Sequence, residues 1–275
     1  MKTDFIHNGT DLRRENLSNF NLDYWSNRVD VAVNELDSLD NSEEKAIGMM
    51  GLYSIYLQCI EVFFINLNAL PKSSDGYIKA IFISNKSLRS LIENEQMHGY
   101  KMTREFLNVS IKPVLRGMST NEGKVDEDIR RYQNTMEEVV KDYLQDYEML
   151  NAYKHGFRVD FKSGESTLSV GDGNIQTKIA TMDSNINYIS KQADYKNKTQ
   201  VIFQHQVGFN QDRLIGKAKF ISYMLADLMS IGKYSFADPK PELIAFRFFE
   251  IEDKSKWNNS YSSFRYKAPL LEGPL

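Results

Sequence analysis

Between Ala46 and Leu70 the chain carries one charged side chain, Glu61, in a stretch long enough for about seven turns of helix. A helix that is apolar on every side must be enclosed, by lipid or by other helices. Lipid is disfavoured: Gln58, Glu61, Asn66 and Asn68 would lie in or near the hydrocarbon, and Gly48 and Gly51 weaken the helix further. The expectation is the central helix of a soluble bundle, with no membrane partner.

The rest of the composition fits a packed globular chain. Of 275 residues 41% are hydrophobic and 26% charged, which excludes disordered and low-complexity classes. The formal net charge of −3 gives no global polycation, so composition names no partner. The one cysteine, Cys59, cannot close an intramolecular disulfide and sits in the apolar stretch as a small buried hydrophobe. No apolar leader follows Met1, and a cytoplasmic location is expected.

Helical periodicity recurs on both sides of the apolar run. An imperfect stripe from Tyr24 to about Leu39 precedes an Asp40-Asn41-Ser42 turn with Glu43 and Glu44 in the following first turn. Residues 72–76 read as a loop, and Ile78, Ile81, Phe82, Leu88, Leu91 and Ile92 predict one helix from Ile78 to about Gln96. A shorter piece from Met102 to Val109 is expected to be broken by Pro113. The cleanest pattern, Ile129, Tyr132, Met136, Val139, Tyr143, Tyr147 and Leu150, predicts one amphipathic helix from Val125 to His155. After Gly156 the period changes to two, with turn chemistry at Gly171-Asp172-Gly173-Asn174, and a helical stripe returns from Asn210 to about Ile231. Leu243 to Ile251 reads as one more strand.

These patterns predict an α+β fold: mainly an α-helical bundle, with a small antiparallel β insertion between the last two long helices. An N-terminal arm covers 1–23, the bundle 24–235 with its β-rich insertion at 157–205, and a C-terminal extension 236–275.

Most familiar chemistry lacks its residues. The four histidines, His7, His98, His155 and His205, have no zinc-ligand spacing, and one cysteine supplies no thiolate cage, so no metal and no cofactor are expected. Neither a phosphate-binding glycine loop ending in Lys-Ser/Thr nor a Gly-x-Ser-x-Gly elbow occurs. The 16 Phe, 15 Tyr and 2 Trp are read as core residues before base-stacking platforms. Lys72 to Arg116 is rich in cations, and Lys79, Lys86 and Arg89 would share a face of the helix expected there, as candidate contacts to a phosphate backbone, although a solvated helix face is the plainer account.

The remaining constellation closes the longest helix. Asn151 and His155 are four residues apart, on one face above Tyr147, and Gly156 is a natural stop that places Lys154 and His155 in the last turn. Pairing of Asn and His to nearby backbone would account for that arrangement without chemistry. The motif Asn151-x-x-Lys154-His155-Gly156, at the end of the last long helix of a bundle, also resembles the HEPN superfamily (higher eukaryotes and prokaryotes nucleotide-binding). That resemblance implies a helical bundle, often dimeric, and metal-independent RNase activity of the kind found in toxin–antitoxin and anti-phage systems. The family places an arginine before the polar residue; here that position is Leu150, with Met149 and Glu148 at the other permitted spacings.

The substitution matters because an arginine would stabilise charge developing on the phosphate while a histidine serves as acid or base. Arg158, three residues past His155, and Lys154 are the candidate substitutes. Three expectations follow: a HEPN-like protein that binds RNA or a protein partner with a degenerate catalytic centre, expected as a homodimer; a working metal-independent ribonuclease using His155, Asn151, Arg158 and Lys154; and a non-enzymatic helical scaffold.

Overall fold

The computed structural model describes residues 12–118, 121–154, 159–172, 175–194, 199–236 and 261–269, with side chains described within 13–117, 121–147 and 210–236. The chain divides into two compact units, one of Met1–Asn27, Gln58–Leu144 and Lys219–Ile251, the other of Arg28–Leu57, Gln145–Ala218 and Glu252–Leu275.

The apolar run forms helix α3, Ser42–Ala69, after α1 (Leu12–Asn19) and α2 (Tyr24–Asp37). The side chain of Asn41 accepts from the Glu43 N–H at 2.8 Å, and Glu43 and Glu44 sit at the positive end of the helix dipole. The most apolar window of α3 is 61% buried inside the protein, as for the core helix of a soluble chain. Tyr53, Tyr56, Cys59, Phe63 and Phe64 are all fully enclosed. Burial of each large side chain contributes about 1.5–3 kcal/mol, and among the described residues α3 buries more hydrophobic side chains than any other helix.

The helix expected from 78 to 96 is two helices, α4 (Ser74–Ile81) and α5 (Asn85–Met97). Ser84 interrupts it: its hydroxyl accepts from the Ser87 N–H at 3.2 Å and starts a new helix. A Schellman turn ends α5. The Tyr100 N–H donates to the Glu95 carbonyl at 2.7 Å and the Gly99 N–H to the Gln96 carbonyl at 3.2 Å, with Gly99 left-handed at φ 66°. The Glu95 carboxylate, 3% exposed, then accepts from the Met102 and Thr103 N–H groups at 3.2 and 2.7 Å, capping α6 (Lys101–Phe106).

Pro113 does not break the chain there. A π-helical turn, Leu107–Ile111, joins α6 to α7 (Lys112–Met118), and the Lys112 N–H reaches back five residues to the Leu107 carbonyl. This widened turn absorbs the proline's missing donor one residue before the ring. Helix α8, Glu122–Lys154, buries the expected stripe of Ile129, Tyr132, Met136, Val139, Tyr143 and Tyr147, and α9 covers Gln211–Phe236.

The N-terminal arm contains α1, which its polar sequence did not announce. Leu17 is its buried anchor; Asn16 Nδ2 donates to the Tyr77 hydroxyl at 2.8 Å, Arg13 donates to the Lys72 carbonyl and stacks over the Phe236 ring, and Lys233 Nζ donates to the Ser18 carbonyl at 3.2 Å. Burial raises the Tyr77 hydroxyl pKa, opposed by the Asn16 hydrogen bond and by the charge of Arg13.

The expected α+β class is corrected. Among residues with described side chains 87% are helical and none lies in a strand. A mixed fold requires a sheet face buried against helices, whereas the described side chains bury helix against helix, in a helical, bundle-like protein. The expectation of a small β insertion at 157–205 rested on the period-two alternation after Gly156. The backbone follows an extended antiparallel course through β1 (Val159–Asp172), β2 (Ile175–Asp194), β3 (Thr199–Phe209) and β4 (Tyr261–Pro269), in that order. The last of these comes from beyond α9, so the course is not an insertion between two helices. The strand expected at 243–251 lies outside the described residues.

Candidate functional site

The motif at the end of α8 is delivered by a continuous helix of 33 residues, and Asn151 and Lys154 fall in its last turn, with Leu150 just before them. His155 and Arg158, the other two candidate catalytic residues, lie outside the described residues.

The candidate phosphate contacts do not share a helix face. Lys79 belongs to α4, whereas Lys86 and Arg89 belong to α5, on the other side of the Phe82–Ser84 corner. Arg89 Nε is held by Glu93 Oε1 at 2.9 Å, one helical turn away. Three further cations of the basic segment are similarly engaged: Arg104 with Glu137 at 3.6 Å, Lys112 with Asp126 at 2.6 Å, and Arg116 with Glu122 at 3.0 Å. The excess of positive charge between Lys72 and Arg116 is thus partly neutralised by the acidic first half of α8. Lys72, Lys79, Lys86 and Lys101 remain exposed, with no carboxylate partner among the described residues.

Sequence reasoning missed two features. Phe82, assigned to the buried stripe of a single helix, is 81% exposed as the residue that ends α4. The cue was Ser84, a helix-starting residue two positions later. Secondly, Arg213, Lys217 and Asp227 of α9 are buried, at 5%, 1% and 2% exposure. Arg213 and Lys217 are four residues apart and flank the apolar stripe instead of opposing it. Each of the three is engaged by other groups of the chain, as buried charge requires, so they read as internal structure and not as an open site.

Among the described residues no cluster of three or more His, Cys, Asp or Glu is placed to hold a metal ion. Comparisons with protein families, with characterised proteins and with solved structures find no match to this chain.

Proposed function

We propose that the chain is a HEPN-like helical protein that binds RNA without cutting it, as a cytoplasmic, homodimeric component of a bacterial defence or toxin–antitoxin system. The observation that carries this reading is the placement of the motif: α8 brings Asn151 and Lys154 to its final turn, directly before His155, at the end of a long helix in a helical protein. Leu150, where the family has arginine, removes the group that would stabilise phosphate charge during cleavage and favours binding over turnover.

Total RNA incubated with the protein tests it. Filter retention that falls steeply with added salt, with an unchanged RNA length distribution, is expected. Cleavage that disappears in His155→Ala would replace this reading with a metal-independent ribonuclease, with His155 as acid or base and Lys154 or Arg158 supplying the cation. No retention at low salt would leave the scaffold reading.

A further inference from the structure

The α4–α5 corner joins an aromatic ring in solvent to unneutralised positive charge. Phe82 ends α4 at 81% exposure, the most exposed large apolar side chain among the described residues. Lys79 stands three residues before it in the last turn of α4, and Lys86 four residues after it in the first turn of α5; both are exposed. No Asp or Glu occurs between Asp75 and Glu93, and Glu93 is taken up by Arg89. The same segment matches Arg104, Lys112 and Arg116 with carboxylates, whereas Lys79 and Lys86 have no carboxylate partner among the described residues.

A ring left in water costs apolar hydration, and a site flanked by two ammonium groups with no carboxylate partner among the described residues does not suit an apolar protein partner. It suits a ligand that is flat and apolar on its face and anionic along its edge. An unpaired base between two phosphates has that chemistry, whereas a base in a duplex has both faces covered. The geometry points to a single-stranded RNA site at this corner, with Phe82 stacking one base and Lys79 and Lys86 holding the flanking phosphates. This rests on the RNA-binding reading above and adds strand selectivity and a stacking residue to it.

The full chain is titrated into fluorescein-labelled oligoadenylate and into a duplex RNA of equal length, over a series of salt concentrations, with circular dichroism confirming that each variant is folded. The single strand is expected to bind more tightly. Phe82→Ala is expected to weaken it roughly five- to a hundredfold with the salt slope unchanged. The Lys79→Gln, Lys86→Gln double variant should flatten the slope by about 0.7 for each phosphate that is no longer neutralised. Phe82→Trp should retain binding and show indole fluorescence quenched by the oligonucleotide. If the wild type binds RNA but Phe82→Ala binds the single strand equally well, or the duplex binds as tightly as the single strand, the stacking site is wrong and the RNA-binding reading stands. If the wild type binds neither RNA at low salt, both are wrong.

Discussion

The Tyr143 hydroxyl, on α8, donates to Glu61 Oε1, on α3, at 3.2 Å, so the one charge of the apolar run meets a phenol from the longest helix. Tyr143 is fully enclosed and Glu61 half-buried. A carboxylate in that position has lost much of its water and needs donors in exchange. Tyr143→Phe keeps the ring and removes the donor, and it should lower stability by about 1–2 kcal/mol, read from the urea midpoint. Glu61→Gln, which retains an acceptor, should cost less. Equal stability of Tyr143→Phe and the wild type would show that this bond contributes nothing.

The two glycines that weaken α3 as a sequence are not equivalent in the structure. A Cβ on Gly48 would come within 3.1 Å of Leu36 Cδ1 and 3.2 Å of Leu39 Cδ1, so Gly48 lets the end of α2 and the following turn approach. A Cβ on Gly51 would meet nothing within 4 Å. Gly51→Ala should therefore stabilise the protein by about 0.5–1 kcal/mol through helix propensity. At Gly48 the same gain is offset by overpacking, and Gly48→Ala should be neutral or destabilising by up to about 1 kcal/mol. Thermal unfolding of the two variants side by side checks the order; a stabilising Gly48→Ala would refute the close approach.

Helices whose apolar residues recur on one face were legible, because burial against neighbours imposes the period. That holds for α2, α8 and α9, whereas α3 was legible as a run apolar on every side; the limits of all four fall within a few residues of those expected. What escaped depends on single polar groups or on distant partners. Among its described side chains helix α1 has one buried anchor, Leu17, and its long-range hydrogen bonds go to Lys72, Tyr77 and Lys233, far along the chain. The break at Ser84 was hidden because Ile78, Ile81, Phe82 and Leu88 keep a helical spacing across it. In the candidate site, the lysines were legible as charges, but which of them stay unpaired was decided by Glu137, Asp126 and Glu122 of α8, which no local pattern links to Arg104, Lys112 and Arg116.

Glu95 ties the end of α5 to the start of α6. Its carboxylate accepts from two N–H groups that have no helical acceptor, and Thr103 beneath it is buried. Glu95→Ala would leave those donors unsatisfied in a closed site and should cost about 2–4 kcal/mol, while Glu95→Gln keeps one acceptor and should cost about 1 kcal/mol. Hydrogen exchange at the Met102 and Thr103 amides gives a local reading: both should exchange faster in Glu95→Ala. Unchanged protection there would mean that another group caps α6.

The Lys112–Asp126 pair joins α7 to the first turns of α8 and sets an acid-side pH dependence. The Lys112 ammonium, first by hydrogen bonding to the Asp126 carboxylate and then through its charge, holds the carboxyl below its ordinary value of 3.8, with a smaller push from Arg116. Because the folded pKa is the lower one, the contribution is complete above the unfolded value and is lost as the pH falls through the folded pKa. Lys112→Met should therefore raise the Asp126 pKa back toward 3.8, followed by carbon-detected NMR titration of the carboxyl. Its stability deficit relative to wild type should shrink as the solution is acidified below that range, and 0.5 M salt should reduce the deficit at neutral pH, since the pair is exposed to screening. An Asp126 that titrates at the same pH with and without Lys112 would show that the two side chains do not meet in solution.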